Sequence, residues 1–217
     1  MADWTLLELK KKVGRTCGDP DALTYPDDIK SHIVNAIESM AENIVAISDL
    51  NRSLNDEERK AYQEVIGLAE SEIFPMLKDI EGTPSYSNKV GFYQFDNTIF
   101  KSMIRLRDVQ VSSTQSKTYN FKKINSLREF NRIKGNPHLM PDEGEAVWFN
   151  SGNKVYIMWG SEKILSLVFS CLVSLNYSSW TDATDLLQTL GFGSNFLVAV
   201  SKRASYTMRL QIGLEKE

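Results

Sequence analysis

The feature that most constrains this chain is a change of hydrophobic period along it, from helical spacing to strand-like alternation and back to helical spacing. Ile29, Ile33, Ile37, Met40, Ile44 and Ile47 recur every three or four residues and so share one helical stripe, after a favourable start of Thr24, Pro26, Asp27 and Asp28. Leu6, Leu9, Val13 and Cys17 form a shorter stripe that closes at Gly18, with Asp3 placed to cap it. Asn55 with Glu58 marks a third start, followed by Tyr62, Val65, Ile66, Ala69, Ile73 and Met76 on one face, and Pro75 must bend or end that helix. The order predicts an α+β fold: a helical body of long amphipathic helices at 1–90 and 181–217, with an inserted, mainly antiparallel β unit at 91–180.

Gly82, Pro84, Ser85, Ser87 and Asn88 read as a linker, and helical periodicity is gone by Phe92. Residues 103–111 then alternate roughly, with Asp108 at a bulge, and Tyr119 and Phe121 alternate with Asn120 and Lys122. Ser126 and Glu129 form a capping box ahead of Phe130 and Ile133, and Gly135, Asn136 and Pro137 end that short helix. Two aromatic runs, 147–149 and 155–159, flank Asn150, Ser151, Gly152 and Asn153 as in a hairpin. Leu165, Leu167, Phe169, Cys171 and Val173 then share one strand face, with Ser166 and Ser170 on the other. Thr181 is expected to cap a helix through Leu190, and Phe196, Val200, Ala204 and Met208 mark a closing helix.

A chain of 217 residues buries roughly 70% of its unfolded surface, so no disulfide or metal staple is required. Cys17 and Cys171 are expected as buried free thiols, which suits a reducing compartment, although a pairing stays open. The start has no basic region followed by an apolar run, and the longest apolar stretch, 164–175, is broken by Ser166, Ser170 and Ser174, so neither a leader nor a membrane span is expected. The net charge of −3 hides a division: residues 1–85 hold 9 Lys/Arg against 17 Asp/Glu, residues 86–140 hold 10 against 3, and residues 141–217 hold 6 against 8. Such a charge dipole can orient adjacent subunits, or it can be two ordinary solvated faces.

Chemistry-bearing residues do not converge. His32 and His138 have no partner at metal-ligand spacing, and no calcium loop is written around Asp19 and Asp21 or around Asp142, Glu143 and Glu145. No Gly-x-Ser-x-Gly elbow, phosphate-cradling loop or dinucleotide fingerprint occurs, so the expectation is no enzyme and no cofactor. The basic stretch Lys101, Arg105, Arg107, Lys117, Lys122, Lys123, Arg128, Arg132 and Lys134 surrounds Tyr119 and Phe121, as a strand platform for single-stranded nucleic acid would. Against this, period two places both rings where a small sheet needs its core. Lys10, Lys11, Lys12 and Arg15 read as a solvated face near a helix C-terminus, where cations are favoured.

A strand with the arginine pair Arg105 and Arg107, a further strand, a short helix over 127–133, a hairpin over 149–157, another strand and a closing helix make an order that resembles the head-to-tail adaptor, or tail-tubular, proteins in the neck of short-tailed bacteriophages. The resemblance lies in the order of elements and covers most of the chain. One departure is that the connection into the closing helix, 176 onward, lacks the proline that family would have. The resemblance implies a structural virion protein in the phage neck, made in the host bacterial cytoplasm. It implies a homo-oligomeric ring, commonly a dodecamer, without a cofactor, that joins the portal protein to tail or further neck proteins and extends the channel for transient genomic DNA. It also implies that the C-terminal segment docks on the portal, here through Tyr206, Met208, Arg209, Leu210 and Ile212, so that truncation before Ser194 leaves a soluble fold that no longer docks. Arg105, Arg107, Lys122, Lys123, Arg128 and Arg132 would face a neighbouring subunit or the DNA. The alternatives are a nucleic-acid-binding module using 101–134 and another neck or tail-completion ring.

Overall fold

The computed structural model describes residues 4–51, 70–87, 89–112, 119–160, 164 and 166–213. The fold is α+β, and the chain divides into two compact units. The first combines Met1–Leu77 with Ser174–Glu217, and the second is Lys78–Val173.

In the first unit α1 (Leu6–Thr16) starts at Thr5, whose hydroxyl accepts from the Glu8 N–H at 3.3 Å, so Thr5 supplies the cap that the sequence suggested for Asp3. Leu6, Leu9 and Val13 are fully buried along its inner stripe. The second helix, α2 (Pro26–Asn51), buries Ile29, Ile33, Ile37 and Val45 completely. The expected third helix falls largely on residues outside those described. Its end, Glu70–Met76, is a 3-10 turn that holds Pro75 and buries Ile73 and Met76.

Residues 181–190, expected as a helix, form turns. Long-range bonds displace the local capping signal: the Leu6 and Leu7 N–H groups donate to the Thr184 and Asp182 carbonyls at 2.9 and 3.1 Å, and the Leu186 N–H donates to the Trp4 carbonyl at 2.9 Å. The same segment recruits Lys10, whose ammonium meets the Asp182 carboxylate at 2.7 Å, while Lys12 sits 3.5 Å over the Trp4 ring. Lys10 is therefore a buried, paired side chain and not part of a solvated face.

In the second unit β4 (Met103–Val111), β8 (Leu167–Val173) and β1 (Leu77–Gly82) form a three-stranded sheet in the order β1-β8-β4. A five-stranded sheet runs β2-β3-β7-β6-β5, from β2 (Ser85–Ser87), β3 (Val90–Gln94), β7 (Lys154–Trp159), β6 (Glu145–Ser151) and β5 (Asn120–Lys123). Strand pairing thus occupies residues that read as a linker. The β5–β6 pair is parallel, whereas the other pairs with a recorded register are antiparallel. A register shift between Leu106 and Asp108 marks the expected bulge in β4.

The two sheets pack face to face over Val109, Trp148, Ile157, Trp159 and Phe169, all at most 1% exposed. Tyr119 and Phe121 pack partly buried against this core, where alternation placed them. Alternate residues of β6 and β7, including Val147, Phe149, Tyr156 and Met158, face the opposite side. There α4 (Leu127–Lys134) lies on the sheet, following the short α3 (Asn97–Ser102), which is capped by Asp96.

Candidate functional site

The sheet face that carries α4 is covered only in part. The Ser126 hydroxyl accepts from the Glu129 N–H at 3.1 Å and fixes where α4 begins. That start drives Phe130, 3% exposed, against Ile124, Met158, Phe149 and Tyr156, with ring centroids 6.4 Å from Phe149 and 6.1 Å from Tyr156. Beyond the helix the same face continues onto β3, where Phe92 stands opposite Tyr156 in register, with ring centroids 6.3 Å apart.

Between α4 and β3 lies a groove of about 980 Å³. Its apolar lining includes Phe92, Leu127, Phe130, Met140 and Tyr156, and Lys89 and Lys134 stand among them. Phe92 is 36% and Leu127 51% exposed, so the groove offers apolar surface to solvent. Lys154 holds its ammonium 5.2 Å over the Phe92 ring and adds a third cation beside the lining. A concave, mainly apolar site edged by a few charged groups suits a side chain or ring that carries negative charge nearby.

Of the basic stretch singled out in the sequence, Lys134 lines that groove, whereas Arg105, Arg107, Lys122, Lys123, Arg128 and Arg132 do not. Arg105 and Arg107 are half-buried on β4, an edge strand of the three-stranded sheet. Lys122 and Lys123 lie on β5, an edge of the other sheet, and the Lys123 ammonium sits 5.1 Å over the Trp148 ring. Arg128 and Arg132 are exposed on α4, one turn apart. Density along the sequence therefore becomes three separate elements in space.

The set carried over for portal docking divides in a similar way. The closing helix α5 (Ser194–Gln211) buries Phe196, Leu197, Val200, Ala204 and Met208, and it packs on α1 and α2. Met208, 1% exposed, belongs to the core of the first unit. Tyr206 and Ile212 are 47% and 37% exposed, while Arg209 and Leu210 are half-buried. Removing the chain from Ser194 onward would strip five buried apolar side chains from that core, so the truncation expected to leave a soluble fold should also destabilise the first unit.

A second exposed apolar feature belongs to the first unit. The loop between α1 and α2 holds Leu23 80% and Tyr25 43% exposed, between exposed Asp21, Asp27 and Asp28. Asp19, 6% exposed, organises it: its carboxylate accepts from the N–H groups of Leu23, Thr24 and Tyr25 at 3.2, 3.0 and 3.2 Å, and from the Thr24 hydroxyl at 3.3 Å. Burial would raise the Asp19 pKa, but the bonds from Tyr25, Thr24 and Leu23 outweigh it and hold the carboxyl below its ordinary value. Gly14 makes the close approach feasible, since a Cβ there would stand 2.1 Å from the Asp19 carbonyl oxygen.

Sequence reasoning missed Phe92, Lys89, Leu23 and Tyr25 as surface features. For the groove, the available signal was Leu127, Phe130 and Lys134 at one-face spacing on a helix too short to cover a five-stranded sheet. Among the described residues, no cluster of His, Cys, Asp and Glu could hold a metal, and no helix is long and apolar enough to cross a membrane. Comparison of the sequence with protein-family models and with characterised proteins gives no match in either.

Proposed function

We propose that this chain is a ring-forming structural subunit, a head-to-tail adaptor of a phage neck that sits below the portal, joins it to the tail and extends the DNA channel. The observation that carries this reading is the division of opposite charge between two units. The first holds 12 Lys/Arg against 19 Asp/Glu, a net −7, and the inserted second holds 13 against 9, a net +4. A closed ring needs two unlike faces on each subunit that complement one another, and a chain with one acidic and one basic unit has the charge to supply them. On this reading Tyr206 and Ile212 are the members of the C-terminal set that reach the portal, and the residence of the protein is the virion.

A second reading, a single-stranded nucleic-acid module, is favoured by one observation: the exposed Phe92 ring lies beside Lys154 in a groove that also holds Lys89. Co-sedimentation of the purified chain with its candidate portal ring, run beside a titration with labelled oligothymidine, separates the two. Co-sedimentation that Tyr206→Asp with Ile212→Asp abolishes supports the adaptor. Oligonucleotide binding that weakens steeply with salt, without co-sedimentation, replaces the adaptor by the module.

A further inference from the structure

The loop between α1 and α2 and the groove beside α4 are chemical opposites. The loop holds Leu23 and Tyr25 out to solvent, edged by exposed Asp21, Asp27 and Asp28. The groove is concave, lined by apolar side chains together with Lys89 and Lys134, and Lys154 holds its ammonium over the Phe92 ring of that lining. The loop is also built to keep its shape. Three backbone N–H groups close on Asp19, and Ala22 is held at φ +55, a left-handed conformation that L residues rarely adopt. An apolar side chain 80% exposed on a loop ordered by a buried carboxylate presents surface without the ordering cost that a loose loop would bring to binding.

We propose that the Leu23–Tyr25 tip of one copy of this chain seats in the groove of the next copy, with Asp21, Asp27 and Asp28 set against the lysines. The proposal rests on the ring reading, because it takes copies of the chain to meet through two different faces. Leu23 and Tyr25 fill the space between Phe92 and Leu127, Met140 adapts its flexible side chain to them, and the charges set orientation and reject other surfaces. A buried aromatic and aliphatic anchor of this kind is the usual energetic centre of an interface, with surrounding contacts excluding water from it.

The test uses the full chain with p-benzoylphenylalanine at position 23, mixed from nitrogen-15 and unlabelled preparations, with and without the candidate portal ring, and irradiated before peptide mapping. The expected products join position 23 to peptides holding Phe92, Leu127 or Met140, with one labelled and one unlabelled chain. Lys89→Glu with Lys134→Glu should lower their yield about tenfold, and Asp27→Lys with Asp28→Lys on the loop copy should restore part of it. Absent products, products within one chain, products elsewhere, products only with the portal subunit, or yields indifferent to the charge reversals would overturn the contact. So would an oligothymidine that occupies the groove with no chain-to-chain product. Closed rings seen by microscopy with crosslinks elsewhere would keep the ring reading and remove this contact, whereas the expected crosslinks in open chains would keep the contact and remove the closed ring.

Discussion

Asp19 and Cys171 show how single residues tie this fold to pH. The Asp19 carboxyl lies below its ordinary value of 3.8, so its charged form is the one the fold favours. Its contribution is present above that value and is lost as the pH falls through the depressed one. Protection of the Leu23, Thr24 and Tyr25 amides, measured against their intrinsic exchange rates, should therefore hold down to about pH 4 and be lost as the pH falls further through the depressed value, and Asp19→Ala should lower that protection at neutral pH. Unchanged protection in that variant would mean that other contacts hold the loop. Cys171 works in the opposite sense. Burial first, and the Asp79 carboxylate second, push its thiol from 9.0 up to about 12. The fold favours the neutral thiol, so stability is intact below pH 9 and declines as the pH rises toward 12. At pH 8 iodoacetamide should leave Cys171 unlabelled in the folded protein and modify it in denaturant, read by mass spectrometry.

At the scale of elements, the start of α5 depends on a residue far away in sequence. Gly193 precedes the helix and offers no capping side chain, so Glu72 acts instead: it accepts from the Phe196 N–H at 2.7 Å and from the Asn195 amide at 3.1 Å. A carboxylate there also complements the positive end of the helix dipole. Glu72→Ala should cost about 1 kcal/mol, a fall in Tm of roughly 2–4 °C, read by calorimetry. Gly193→Ala should act in the same direction, since its Cβ would fall 2.2 Å from a Glu72 carboxylate oxygen and break the cap. This arrangement explains what the sequence could reveal. The stripe of α2, the Ser126 cap, the Asp108 bulge and the hairpin between β6 and β7 are local, and each was readable from a few neighbouring residues. The Glu72 cap and the turns over 181–190 depend on partners more than a hundred residues away, and a window of sequence carries no sign of them. The strands β2 and β3 were hidden for another reason: their Ser and Gly residues are also turn formers, and only the pairing of β2 with β3, and of β3 with β7, makes them part of a sheet.

For the whole molecule, the two units let one chain present surfaces of opposite charge, and α4 sets how much of the basic unit stays open. Phe130 pins that helix to the sheet, so Phe130→Ala should destabilise the second unit by about 3–5 kcal/mol in denaturant unfolding and remove one wall of the groove. A smaller loss would show that α4 is held mainly by its cap and by Ile133. The groove itself was only half legible: Phe130, Tyr156 and Lys134 stood out in the sequence, but the gap between α4 and β3 is a product of helix length against sheet width. Electron microscopy of the purified chain mixed with its candidate portal ring at moderate salt would show whether this protein forms the proposed ring on a portal. A second ring stacked coaxially on the first is expected; bare portal rings at saturating chain concentration would overturn the adaptor proposal.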